Sequence, residues 1–258
     1  LKGLSAWKRV SDNRLYEIQQ KNNIEIYKES ELTFSHINEL GINNIFLATG
    51  SSWRKDGVGR SRRKPIQGME SLNVLTPEEA IKDSKNLKGP VVVYDDEQGY
   101  LGGVVADHLS SDHHEVIFIT PASIVSPWTE STLEQKRVQK SLLLNGVNII
   151  CNKSIDKAEG QSLNLQCVFT GEITHVKCSA IVMVTERIPN TTLYDQLIEQ
   201  NNSIEGGKRK HIQLIGDAES PGLIADAVFL GHLAAQNFEE PEQEIQKAMF
   251  MREMPSLK

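Results

Sequence analysis

Val91-Val92-Val93-Tyr94-Asp95-Asp96-Glu97-Gln98-Gly99-Tyr100-Leu101-Gly102-Gly103 is the stretch that decides the fold. Its unbroken apolar start reads as a strand buried on both faces, the pattern of a parallel sheet. A helix is expected over 99–110 and a second strand over 115–120, which together make a βαβ unit. A dinucleotide-binding turn would place G-x-G-x-x-G at this point. The first glycine permits the tight turn, the second lets backbone amides approach a diphosphate, and the third lets the helix pack on the strand. The helix N-terminus then favours phosphate charge. Gly99 and Gly102 hold the last two positions, but Glu97 holds the first, behind Asp95 and Asp96. At about 5 Å and an effective dielectric near 20, each like-charge pair costs on the order of 3 kcal/mol. The stretch therefore supports the fold and argues against a bound nicotinamide dinucleotide. The second strand ends in Thr120-Pro121, with no acid for ribose hydroxyls.

Outward from this unit, a helix is expected over 130–144, stopped by Asn145-Gly146, then a strand over 147–151. Alternating segments at 163–169 and 173–177 flank Thr170-Gly171-Glu172 and read as a hairpin. An apolar strand follows at 180–185. Upstream, Thr76-Pro77-Glu78-Glu79 is a helix start, with Thr76 as N-cap and Pro77 at the first helical position. Further out, a helix is expected over 5–20, a strand over 24–27, a short helix over 35–40 ended by Gly41, and a strand over 44–48. Residues 51–75 read as loop. A strand over 211–215, a helix over 221–237 and a polar helix or tail complete the chain. The alternation predicts an α/β protein of Rossmann-like parallel sheets with helices on both faces and a β-meander crossover. The expected division is a domain over 88–204 and a second one formed by 1–87 with 205–258.

Composition narrows the function. The 258 residues suffice for two modest domains, and a net charge of −6 argues against a nucleic-acid partner. Cys151, Cys167 and Cys178 form no CxxC pair, so neither a redox pair nor a cysteine-held cluster is expected, and no metal site is read. No apolar run reaches membrane-span length, and the opening LKGLSAWKRV lacks a signal peptide's apolar region. A cytoplasmic protein is expected.

Two further segments carry nucleotide-site features. Ile45-Phe46-Leu47-Ala48-Thr49-Gly50 is an apolar strand with a glycine exit. His211-Ile212-Gln213-Leu214-Ile215-Gly216-Asp217-Ala218 is another, leading through Pro221 into a helix. Gly216 permits close approach, and Asp217 can accept ribose or ribityl hydroxyls or serve as a helix cap. Thr185-Glu186-Arg187-Ile188-Pro189-Asn190 resembles the T-G-R-x-P-N turn of pyridine-nucleotide domains, with Glu186 in the glycine's place. Each acid alone reads as a solvated loop residue; Asp95, Asp96, Glu97 and Glu186 together read as a degenerate site. The basic loop Arg54 to Lys64 reads as solvated, with docking of an acidic protein or a phosphate as the alternative. His113-His114 reads as a turn. No catalytic triad, metalloprotease helix or P-loop is present, and no catalytic residue is assigned.

FLATGSSWRKDGVGR (46–60), VVVYDDEQGYLGGVVAD (91–107), VTERIPNTTLYDQL (184–197) and IGDAESPGLIADAVFLGHLAA (215–235) resemble consecutive landmarks of one family. It holds trimethylamine, dimethylamine and histamine dehydrogenases and their dienoyl-CoA reductase-like relatives. The resemblance covers nearly the whole chain. It implies a long iron–sulfur flavoprotein in three parts: a barrel carrying FMN and the amine site, a [4Fe–4S] centre, and a disulfide-reductase-like pair of nucleotide-binding domains. This chain corresponds to most of that pair, the first domain being incomplete. The resemblance carries over Thr49, Gly50, Gly216 and Asp217 as nucleotide contacts, with Gly99 and Gly102 as remnants of the second site. It implies no FMN or iron in this chain itself, at most weak ADP binding, and as partners the N-terminal barrel and an electron-transferring flavoprotein; the oligomeric state is open, with a second copy of the chain among the alternatives. The alternatives are an independent nucleotide- or protein-binding module and an NAD(P)H-dependent reductase domain, the latter disfavoured by the acids.

Overall fold

In a computed structural model of the chain, residues 5–204 and 209–238 are described. The elements in chain order are α1 (Arg9–Gln19), α2 (Phe34–Glu39), β1 (Asn44–Leu47), β2 (Ser51–Trp53), β3 (Asn73–Leu75), α3 (Pro77–Lys82), β4 (Val91–Asp95), α4 (Leu101–Ser111), β5 (Val116–Ile119), α5 (Gln135–Leu144) and β6 (Asn148–Ile150). They continue with β7 (Lys153–Glu159), β8 (Ser162–Cys167), β9 (Ile173–Lys177), β10 (Ala180–Val184), β11 (Arg187–Pro189), α6 (Thr192–Ser203), β12 (His211–Leu214) and α7 (Ile224–Asn237). The polar helix or tail expected at the C-terminus lies outside the described residues. Among the described residues no helix is long and apolar enough to cross a membrane.

The chain divides into two compact units. One comprises Trp53–Arg187 with the N-terminal residues up to Lys28; the other comprises Glu29–Ser52 with the residues from Ile188 onward. The sequence reading drew its boundaries at 88 and 204 instead. Two contacts account for the difference. Strand β3, read as loop, pairs in parallel with β10 (Asn73 opposite Ala180), which ties the region before residue 88 to the first unit's sheet. Helix α6, which the sequence reading left unassigned, packs Leu197 against Ile37, Ile45 and Leu47 of the second unit.

The first unit is built on a parallel sheet in the order β3-β10-β4-β5-β6. Strands β4, β5 and β10 are buried throughout, and their alternation sorts side chains onto two faces. Val91, Val93, Phe118, Val182 and Val184 pack against Ala80 of α3, Val105 and Leu109 of α4 and Leu142 of α5. Val92, Tyr94, Ile117, Ile181 and Met183 pack against Ile155, Leu163 and Leu165 of the antiparallel sheet β7-β8-β9. Helices thus cover one face of this sheet and the meander covers the other. At about 25 cal/mol per Å², such two-sided burial is the main stabilising contribution. Helix α3 starts as its sequence dictates: Thr76 Oγ1 accepts from the Glu79 amide and Glu79 accepts from the Thr76 amide, a reciprocal cap.

The second unit has a smaller core. Strands β1 and β12 pair in parallel, Leu47 opposite Leu214, under α2 and α6. In the apolar helix α7 only Ala234 is buried, and Phe229 is 62% exposed. A cleft of about 1490 Å³ in this unit is lined by Leu32, Phe34, Ile37, Ile45, Leu47 and Leu193 among others.

The expected strand over 24–27 does not form. Ile24, Ile26 and Tyr27 are exposed, and no neighbouring strand among the described residues offers a ladder. Strand β7 is the converse. Its inward residues Ile155 and Ala158 are three apart because a bulge interrupts the register between Ile155 and Lys157. The bulge hides the period-2 pattern.

Candidate functional site

Asp95, Asp96 and Glu97 stand at the carboxyl end of β4, where parallel α/β sheets take their ligands. The amides of Asp96 and Glu97 both donate to the Val184 carbonyl, at 2.9 and 3.0 Å, so the loop leaves the strand bound to β10. Gln98 turns the chain at φ 64°, and its amide donates to Asp95 Oδ1 at 2.9 Å.

Each carboxylate sits in a notch that a glycine leaves open. A Cβ on Gly102 would come within 2.5 Å of Asp95 Cγ, one on Gly99 within 2.6 Å of Glu97 Oε2, and one on Gly59 within 2.5 Å of Asp96 Oδ2. The two fingerprint glycines therefore face the chain's own acids. Burial pushes the Asp95 carboxyl up to about 8, with the neighbouring Glu97 and Asp96 charges adding to the effect. Burial also raises the Asp96 and Glu97 carboxyls. Asp95 Oδ2, Glu97 Oε2 and the Thr185 hydroxyl are buried without a hydrogen-bond partner among the described residues. The side chains of the chain's own acids occupy the space beside both fingerprint glycines, so these residues do not fit a diphosphate.

The fourth acid lies apart. Glu186 is exposed, its side chain is 3.9 Å from Arg54, and its carbonyl accepts from the Arg54 amide. The basic loop is largely satisfied from within. Arg54 holds Asp56 bidentately, Lys55 pairs with Glu79, Arg62 donates to the Lys64 and Ile155 carbonyls, and Arg60 donates to the Glu97 carbonyl. Lys55, Arg60, Arg63 and Lys64 are nevertheless exposed, in keeping with the expectation of a solvated loop.

In the second unit the parallel pairing of β1 and β12 brings the two other candidate segments side by side. The Ile215 amide donates to the Leu47 carbonyl, and Ser51 Oγ donates to Asp217 Oδ2 at 3.2 Å. Gly50 and Gly216 have φ of 73° and 61°, left-handed turns that favour glycine. The Gly222 amide donates to Asp217 Oδ1 at 3.1 Å, ahead of α7. Asn190 ties the site together: its side-chain amide donates to the Thr49 carbonyl, and its own carbonyl accepts from Thr49 Oγ1 at 2.6 Å. Two glycine exits, an acid and a helix N-terminus are the chemistry an adenine nucleotide uses, so these residues fit one. Asn190 and Ser51 escaped the sequence reading as site residues, although Asn190 closes the Arg187-Ile188-Pro189-Asn190 turn already singled out. Among the described residues no group of three or more His, Cys, Asp or Glu could hold a metal ion.

The chain is similar to several known proteins over most of its length. Dimethylamine dehydrogenase of Hyphomicrobium sp. (strain x) is 26% identical over 96% of the chain. The solved structure of histamine dehydrogenase from Rhizobium sp. 4-9 is 36% identical over 94% of the chain, with a TM-score of 0.88. That of 6-hydroxypseudooxynicotine amine oxidase from Pseudomonas geniculata N1 is 34% identical over 92%, with a TM-score of 0.84. The chain spans 37%, 38% and 35% of these three proteins respectively. Its fold is that of a flavin- or nucleotide-binding oxidoreductase domain, since residues 7–228 match the pyridine nucleotide-disulphide oxidoreductase family. The chain belongs to that family and matches the C-terminal nucleotide-binding region of its amine dehydrogenase members.

Proposed function

We propose that the chain is the nucleotide-binding region of a cytoplasmic, amine-oxidising iron–sulfur flavoprotein dehydrogenase. In that enzyme FMN and a [4Fe–4S] centre, held outside this chain, supply the oxidation of the amine and the onward passage of electrons. An N-terminal barrel is then the partner in the same protein, and an electron-transferring flavoprotein the partner in solution. The observation that carries the reading is the likeness to two amine-oxidising proteins over more than nine-tenths of the chain.

Within this reading the two units differ in role. The second unit would hold an adenine nucleotide, with Asp217 accepting ribose hydroxyls and Thr49, Gly50 and Gly216 shaping the strand exits. The first unit would keep its sheet and its glycines but use no nicotinamide cofactor, because Asp95, Asp96 and Glu97 fill the diphosphate position. Those acids weigh against the alternative of an NAD(P)H-dependent reductase domain.

The test uses the full polypeptide that contains this chain. Histamine and dimethylamine are offered with an artificial one-electron acceptor, and acceptor reduction is followed. Amine-dependent reduction without nicotinamide nucleotide is expected. NADH-dependent reduction with no response to either amine would overturn the reading.

A further inference from the structure

The segment from Gly57 to Lys64 is held in place by bonds that its sequence gives no hint of. Its Ser61 amide and hydroxyl both donate to the Asp96 carboxylate, at 2.9 and 2.8 Å. The Arg60 guanidinium donates to the Glu97 carbonyl at 3.1 Å and lies over the Trp128 ring, 5.2 Å from its centre. Gly59 is the close approach: its missing Cβ would press on Asp96 Oδ2 and, at 3.2 Å, on Thr185. Arg62 reaches across to the Ile155 carbonyl of β7 at 3.0 Å. Both ends are anchored, by the Ile66 amide donating to the Asp56 carbonyl and by burial of Val58 and Ile66.

These anchors follow one path. Thr185 leaves β10, Asp96 and Glu97 leave β4, and Trp128 lies on the connection after β5. These are the carboxyl ends of three neighbouring strands of one parallel sheet. The segment therefore runs across the edge at which such sheets take their ligands. Asp96 is the only one of the three acids whose two oxygens both carry bonds to this segment among the hydrogen bonds described.

We propose that residues 57–64 form a strap latched across the carboxyl end of the parallel sheet by the Asp96–Ser61 pair, and released when that pair is broken. The latch joins an exposed serine to a buried carboxylate at two points, and the Arg60 and Arg62 guanidinium bonds to carbonyls support it. The proposal stands on the geometry of the first unit alone and does not depend on the amine dehydrogenase reading.

The strap carries its own probe, since trypsin cleaves after Arg60, Arg62 and Arg63. Limited proteolysis of the folded chain, with fragments mapped by mass spectrometry, reads the latch directly. The wild-type chain should resist cleavage there, and Asp96→Ala should be cut at least tenfold faster at those three positions. Cleavage after Lys136 and Lys140 of α5 should stay unchanged, which separates strap release from general unfolding. Ser61 is exposed, so Ser61→Ala leaves the core intact while removing one of the two bonds, and an intermediate rate is expected. Wild-type cleavage as fast as that of a free peptide of the same sequence would overturn the proposal. So would an Asp96→Ala strap as resistant as wild type. If Asp96→Ala does not fold, an unchanged Ser61→Ala rate overturns it.

Discussion

Asp95 and Gly102 share one space: the carboxyl carbon of the acid lies 2.5 Å from where a Cβ on the glycine would stand. The close packing of helix α4 on strand β4 is thus filled by the acid that precedes the helix. Gly102→Ala should destabilise the first unit by about 1–3 kcal/mol, the usual cost of overpacking a fixed core position. Urea unfolding would show it as a lower midpoint at unchanged slope. A variant as stable as wild type would mean that Asp95 can turn aside freely.

The Asp95 carboxyl also sets a pH dependence. Its folded value is raised by burial to about 8, well above the unfolded carboxylate near 4. A raised folded value means that unfolding releases a proton. The acid's contribution is therefore fully present below about pH 4, falls as pH rises, and is gone above about pH 8. Asp95→Asn keeps the acceptor for the Gln98 amide and removes the proton. Burial raises the Asp96 and Glu97 carboxyls as well, so the variant should still decline across that window but less steeply than wild type, leaving it a few kcal/mol, about 2–5, ahead at pH 8.5. Thermal melts of both proteins from pH 5 to 8.5 test this; parallel curves would show that Asp95 is ionised in the fold.

The same carboxylates bear on cofactor choice. Calorimetric titration of the chain with NADH or NADPH should give no heat of binding at about 1 mM, some 4 kcal/mol on the affinity scale. Micromolar affinity for either would show that the acids move away from the strand end, and would restore the reductase reading.

Nucleotide binding should instead follow the second unit. We expect ADP to bind no tighter than about millimolar, because a helix N-terminus and one acid supply few charge-assisted bonds. Asp217→Ala should weaken it further, since it removes the acceptor that Ser51 and Gly222 hold in place. Tight ADP binding that survives Asp217→Ala would place the site elsewhere.

The sequence was most legible where one residue type had one physical reading. Val91 to Val93 could only be a doubly buried strand, and Thr76-Pro77 could only open a helix. The pairing of Thr49–Gly50 with Gly216–Asp217 was legible as two glycine exits, and parallel β1 and β12 make them neighbours. Strand β7 was hidden because its bulge breaks the alternation that marks a strand. The tetrapeptide Ile24 to Tyr27 has strand-forming residues, but a strand is defined by a partner and none is there among the described residues. The strap was invisible for a related reason. Its charges look like those of any solvated loop, and the bonds that hold it reach residues 35 and 93 positions away. The acids at the end of β4 were read as repulsive; that each would fill a glycine notch follows only from the fold.

The three notches make the evolution of this strand end a problem of pairs. Asp95 with Gly102, Asp96 with Gly59, and Glu97 with Gly99 each divide one small volume between two positions. Enlarging the glycine alone collides with the acid, and shortening the acid alone leaves a void beside a glycine that then has no reason to be one. A path from this strand end to a dinucleotide-binding turn would therefore cross a less stable intermediate at each pair unless both members changed together. A library that varies the two positions jointly should recover folded sequences that single-site scanning of either position rejects.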